Sequence, residues 1–419
     1  MQKSTFLWLA LGAALASPAP LLAQVNPAYE VATWRGFKAA AVTYTFDDNT
    51  SNQLPVALPL FDQYNFKTTL FTVTSWGPNW AGLRTASANG HEVTSHTVTH
   101  PSLGPLTVAQ QITELQQSQA TIKANVPTAK CETVAYPNCV TGDLPTIQTY
   151  YIAGRVCSGQ IMPATPPDFY NLSAIITGTT GSVQTAANFN AKVDAAKTAK
   201  GWCVFLTHGI NADGGYSPTQ SSELATHLAY VNANSADFWV STFSDVVKYI
   251  KERNAVALSE TTITPDQLLL TVSHTLGSAV YDVPVTFRRQ LPATWPSAKL
   301  TKAGAAVAST IVTVNNVRYV VFDAVPNQGD ITLAKDNVLA VTPGAAMAAT
   351  DLWPNPLADK GTLARKGAFS YAVYALDGKL LEAGQGTDVV KFGGNLAAGT
   401  YIVKISQQGQ VSSVKFSKK

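Results

Sequence analysis

Three short stretches of this 419-residue chain hold side chains suited to metal-assisted chemistry. They are Thr45-Phe46-Asp47-Asp48, Ser95-His96-Thr97-Val98-Thr99-His100 and Leu206-Thr207-His208-Gly209. Two imidazoles four residues apart, in the first turn of a helix, can face one ion. Asp48 from another strand supplies a third ligand and leaves a position for water, which is the arrangement of a catalytic zinc site rather than a structural one. The plain alternative is a pair of solvated histidines on a loop. Against it stands Asp47-Asp48 at the end of an apolar run, because paired carboxylates in such a place are costly without a purpose. No HExxH is present, which removes that class of metalloprotease.

These residues need a scaffold, and the pattern around them supplies one. Ala39–Phe46, Thr68–Val73, His91–Ser95, Thr133–Tyr136, Tyr151–Val156 and Cys203–Thr207 read as strands. Leu54–Tyr64, Leu83–Asn89, Thr107–Asn125, Asn188–Lys200 and Asp245–Arg253 read as helices between them. Alternation of this kind predicts a parallel sheet or barrel with helices outside. All three chemical stretches then fall at C-terminal ends of strands, where α/β barrels gather their reactive groups.

On these motifs residues 38–255 resemble the NodB-homology polysaccharide deacetylases, carbohydrate esterase family 4. The resemblance implies a distorted (β/α)7 barrel that removes N- or O-acetyl groups from glycans with one divalent metal, Zn2+ first, with Co2+ or Ni2+ as alternatives. It implies that Asp48, His96 and His100 are metal ligands, Asp47 the general base and His208 the general acid. The third family motif departs from pattern: Ala135-Tyr136-Pro137-Asn138-Cys139 has Ala135 where the family has an Arg that holds the base. Asn138 stands where an aromatic residue lends its backbone N–H to the oxyanion, a role any residue but Pro retains. Arg155, on the next strand, is a substitute for the lost Arg, with a purely structural Arg as the alternative. The fourth motif has no clear match; Asp168 and Trp239 are its candidates. Trp76 and Trp80, beside Gly77 in the loop after Thr68–Val73, offer aromatic faces to a sugar, and Tyr136 is a further substrate contact.

Length and composition set the remaining bounds. The chain allows two to four domains. Charged residues are 13% and net charge is +3, so an electrostatic nucleic-acid binder is excluded as the default. Residues 24–255 carry −2 and residues 348–419 carry +4, which marks a distinct tail. Residues 1–23 read as an export signal, with Lys3 before the apolar run Phe6–Leu15 and Ala23 at the cut. No later run reaches transmembrane length. Residues 25–255 are the deacetylase-like domain. Residues 256–345 are β-rich and read as a small sandwich serving as spacer or accessory domain.

Residues 348–419 form a second all-β unit. Pro354-Asn355-Pro356, Asp377-Gly378, Leu396-Ala397-Ala398-Gly399-Thr400-Tyr401 and the closing Lys-Phe-Ser-Lys-Lys resemble a type IX secretion sorting domain. That implies a secreted or cell-surface protein and the secretion machinery as a partner. A monomer acting on an acetylated polysaccharide, xylan- or chitin-like, is the expectation; a catalytically inactive glycan-binding barrel is the alternative. Of the four cysteines, Cys139 and Cys157 follow strands expected to be neighbours, at the same end. Adjacent strands lie about 4.8 Å apart, within disulfide reach, which predicts a Cys139–Cys157 bridge.

Overall fold

The computed structural model describes residues 28–336, 352–353, 355–376, 378–407 and 410–419. The expected export signal therefore lies outside the described residues, as do Pro354 and Asp377 of the tail motifs. The chain forms two compact units divided at 335/336.

The first unit contains the barrel. Its strands are β1 (Ala40–Asp47), β2 (Thr69–Thr72), β3 (Glu92–Ser95), β4 (Thr133–Ala135), β5 (Ala153–Arg155), β6 (Ile175–Ile176), β7 (Trp202–Thr207) and β8 (Phe238–Val240). All pairings are parallel, in the order β5-β4-β3-β2-β1-β7-β6, with β8 against the lower half of β1. The segment after β5 closes the gap: Leu172 bridges to Arg155 and Ile175 pairs with Phe205 of β7. This is the distorted (β/α)7 barrel. Every residue of β1 and β7 is buried, as expected of strands covered on both faces.

Among the described residues seven α-helices surround the sheet: α1 (Leu58–Asp62), α2 (Trp80–Ala88), α3 (Val108–Asn125), α4 (Leu144–Tyr150), α5 (Ala186–Ala199), α6 (Ser221–Ala233) and α7 (Phe243–Ala255). A π-helical turn, Gln53–Ala57, precedes α1. The start of α3 is fixed by a capping box: the Thr107 hydroxyl accepts from the Gln110 N–H and the Gln110 side chain answers to the Thr107 N–H. No described helix is long and apolar enough to cross a membrane.

Residues 257–336 add two antiparallel sheets sharing one core that includes Leu258, Leu270, Phe287, Phe322 and Leu333. One difference from the expected boundary is plain. Tyr29–Val31, placed by sequence in the 25–255 domain, pairs antiparallel with Val285–Gln290 of the sandwich. Tyr29 explains it, because its ring joins the sandwich core and its hydroxyl donates to Glu260 at 2.6 Å. Among its described residues the second unit forms a five-stranded antiparallel sheet around Leu363, Val373, Val403, Ile405 and Phe416.

Candidate active site

Asp47 is the last residue of β1, and the chain leaves the strand abruptly. Asp48 (φ 72°) and Asn49 (φ 55°) are both left-handed, a conformation that Asp and Asn tolerate better than other side chains. Asn49 Nδ2 donates to the Val73 carbonyl and holds the turn against the end of β2.

The histidines follow β3, and here the expected helical turn does not form. Residues 96–100 are a loop in which Thr97 (φ 68°) and His100 (φ 65°) are left-handed. The physical reason is local. Pro101 disfavours helical backbone at His100, and side chains rather than a helix ladder satisfy the loop. The Glu114 carboxylate of α3 accepts from the Val98 and Thr99 N–H groups at 2.8 and 2.9 Å. The Thr97 hydroxyl accepts from the His100 N–H at 3.1 Å.

The loop nonetheless brings both rings to Asp48. Asp48 Oδ1 lies 3.5 Å from His96 Nε2 and 3.4 Å from His100 Nε2. The three ligand atoms lie within 4.8 Å of one another. His96 Nδ1 is 2.9 Å from the Ala135 carbonyl, which assigns the proton to Nδ1 and turns the Nε2 lone pair toward Asp48. Burial pushes His96 down to about 4, despite the opposing charge of Asp47, so the ring is neutral. Burial, together with the charge of Asp47, pushes Asp48 up to about 6. Asp48 Oδ1 is buried without a hydrogen-bond partner. A buried, orphaned carboxylate oxygen facing the Nε2 atoms of two imidazoles suits a divalent cation, and the borderline N/O donor set suits zinc or its neighbours.

Asp47 is held differently. Arg155, the last residue of β5, places its guanidinium 2.5 Å from Asp47 Oδ2. In the ladder Arg155 is the partner of Ala135, so the cation enters from the next strand at the same level. Burial works to raise Asp47, but Arg155, then His96 and His208, outweigh it and hold the carboxyl below its ordinary range. His208 follows β7 with Nε2 3.9 Å from Asp48 Oδ2. Its Nδ1 is buried with no hydrogen-bond partner.

Asn138 and Cys139 are consecutive left-handed residues in the turn after β4, and Asn138 is exposed. Cys139 is bonded to Cys157, with Cα atoms 5.7 Å apart, while Cys131 and Cys203 are free and buried. The predicted bridge is the one present.

Other expected positions fare unevenly. Trp76 is 49% exposed with its ring 4.9 Å from that of His100, so it borders the centre. Trp80, the first residue of α2, is half-buried and packs on the barrel core. Tyr136 is also corrected: it is buried and its hydroxyl donates to the Tyr170 carbonyl at 2.9 Å, beneath Gly154. Asp168 accepts from the Tyr170 N–H, and Trp239 packs between Trp34 and Tyr249; neither contacts His208. Tyr216 was not foreseen. It is 54% exposed, and its ring meets His208 edge-on at 5.1 Å. The run Asp213-Gly214-Gly215-Tyr216 just after a strand-end histidine is the signal that marks it.

Comparison with known proteins adds a family to this geometry. Residues 35–145 match the polysaccharide deacetylase family. That match covers β1 to β4 and so the Asp47-Asp48 and His96–His100 stretches. Over 328 residues the chain is 27% identical to a gellan lyase of a Bacillus species, covering 73% of this chain and 13% of that much longer protein. Among solved structures, it resembles a family 4 acetyl xylan esterase from Clostridium thermocellum, determined with a cobalt ion. There the identity is 19%, the coverage 49% of this chain and 89% of the other, and the TM-score 0.37. It also resembles a carbohydrate esterase family 4 pseudoenzyme from Bacillus anthracis, at 17% identity over 50% and 65% of the two chains, TM-score 0.37.

Proposed function

We propose that the barrel is a metal-dependent deacetylase that hydrolyses acetyl groups on a glycan. The observation that carries this is the convergence of Asp48, His96 and His100 beside the Asp47–Arg155 pair, with His208 across the Asp48 carboxylate. A divalent ion held by Asp48, His96 and His100 would lower the pKa of a water and polarise the acetyl carbonyl. Asp47, kept ionised by Arg155, accepts the proton of the attacking water. The backbone N–H of Asn138 is assigned to the developing oxyanion. His208 delivers a proton from Nε2 to the departing amine or alcohol. Trp76 and Tyr216 border the centre on the two sides set by β2 and β7, and offer ring faces to the sugar.

The second reading, an inactive glycan-binding barrel, draws on Ala135 and on the pseudoenzyme among the similar structures. Arg155 opposes it, because a barrel without turnover has no need to rebuild the partner of a buried Asp47. Export to the cell surface by the 1–23 and 348–419 segments, action as a monomer and an acetylated xylan or chitin substrate complete the proposal. Acetate release from acetylated xylan and from chitin oligomers, with chelator and after zinc, cobalt or nickel addition, tests it. Metal-reversible release supports a deacetylase; glycan binding without release supports the inactive barrel.

A further inference from the structure

We propose that Gln53 is a positioning residue that fixes the proton donor His208 relative to the base Asp47. The proposal rests on the deacetylase reading above. β1 and β7 are paired up to Phe46 and Thr207. Asp47, the last residue of β1, and His208, the residue after β7, lie one step beyond the last rung of this pair. Both catalytic assignments thus sit where the ladder ends and the chains turn apart.

Gln53 supplies the missing rung. It is 3% exposed, at the start of the π-helical turn, and its Nε2 lies 2.5 Å from the Asp47 carbonyl and 3.0 Å from the His208 carbonyl. A carboxamide NH2 has two hydrogens, so one group serves both oxygens. Neighbouring residues fasten the same two loops. The Thr50 hydroxyl donates to the His208 carbonyl at 2.9 Å and Asn52 Nδ2 to the Ile210 carbonyl at 2.9 Å. Asp213 Oδ2 accepts from the Ile210 and Asn52 N–H groups.

His208 depends on this clasp more than His96 depends on its surroundings. His96 has its ring fixed through Nδ1 to the Ala135 carbonyl. His208 Nδ1 has no partner, so no side-chain hydrogen bond orients its ring. The backbone position and the edge of Tyr216 are what set its aim. Loss of the Gln53 donors therefore displaces the acid relative to the base while leaving His96 and His100, which follow β3, in place.

The test uses the full chain with Gln53→Glu, an isostere that accepts but does not donate when ionised, and Gln53→Ala, which introduces no buried charge. Two acetyl esters separate acid catalysis from the rest. 4-Nitrophenyl acetate has a leaving group that departs without a proton; a sugar acetate needs one. The expected result is a fall in kcat of about 10–100-fold on the sugar acetate, unchanged KM, a much smaller fall on the nitrophenyl ester, and full metal content. Equal losses on both esters, or no loss, overturn the proposal. Crystal structures of the wild type and Gln53→Ala give a readout independent of turnover. An unchanged Asp47-to-His208 spacing overturns the positioning claim, and a widened one supports it, even if the wild type releases no acetate and the deacetylase reading fails.

Discussion

The pair Asp47–Arg155 is where a residue-level departure from the family pattern meets a residue-level repair. Ala135 removes the expected guanidinium from β4, and β5 returns one at the same register. Sequence showed the loss and offered Arg155, on the next strand, as the substitute, beside the reading of a purely structural Arg. It did not show that Tyr136 faces inward, because a three-residue strand leaves the sense of alternation open. Two predictions belong at this scale. Asp47→Asn should keep stoichiometric metal and lose about 10²–10⁴ in rate, the usual cost of a general base; near-normal turnover in a metal-loaded variant would remove the assignment. His96→Ala with His100→Ala should abolish tight metal binding, measured by metal content after dialysis. Stoichiometric metal in that double variant would place the ion elsewhere.

At the scale of elements, six of the eight barrel strands were legible from their apolar runs, and their ends carried the chemistry in plain view; the short strands Ile175–Ile176 and Phe238–Val240 were not. The loops were less so. The His96–His100 spacing suggests a helical turn, but Glu114, sixteen residues downstream, supplies acceptors that favour an irregular loop. Long-range satisfaction of that kind leaves no local trace. Helix α6 is a different case: Leu224, Leu228 and Val231 form a buried stripe at helical spacing, a signal present in the sequence and passed over. The Cys139–Cys157 bridge was legible because strand adjacency fixes distance. It joins the Asn138 turn to the residues just past Arg155 and so adds a covalent restraint on two left-handed residues. Cys139→Ser with Cys157→Ser should lower unfolding stability by about 2–4 kcal/mol. If Asn138 lends its N–H to the oxyanion, kcat should fall as well. Denaturant melts and acetate-release kinetics on the double variant check both, and unchanged stability would show that the turn needs no tie.

At the scale of the molecule, residues 336–419 form their own unit, and a chain ending near Ala345 should hydrolyse a small acetyl ester at the wild-type rate; loss of that rate would make the tail part of the enzyme. The barrel and sandwich belong to one unit, and Tyr29–Val31 crosses into the sandwich before β1 begins. Their junction holds a titratable pair. Glu252 of α7 accepts the Val283 N–H at 3.0 Å, and its other oxygen lies 3.8 Å from His274 Nε2; both facing atoms are buried without hydrogen-bond partners. On its other side His274 Nδ1 meets Asn327 at 3.0 Å. Burial pushes Glu252 up to about 7 and is joined by the charge of Asp282; the Val283 N–H and the cations Lys248 and Lys130 oppose it only in part. Burial also lowers His274, so the pair does not form a strong ion pair near neutrality. The folded state thus holds the Glu252 proton more tightly than the unfolded chain, where the pKa is about 4.3. The stability this contributes is complete below about pH 4.3 and is lost as pH rises through about 7. Glu252→Gln keeps an acceptor for Val283 and removes the ionisation. Relative to wild type it should gain on the order of 2 kcal/mol on going from pH 5 to pH 8, read from denaturant melts at both values. A variant whose stability tracks the wild type across that range would show that Glu252 ionises in the fold as freely as in water.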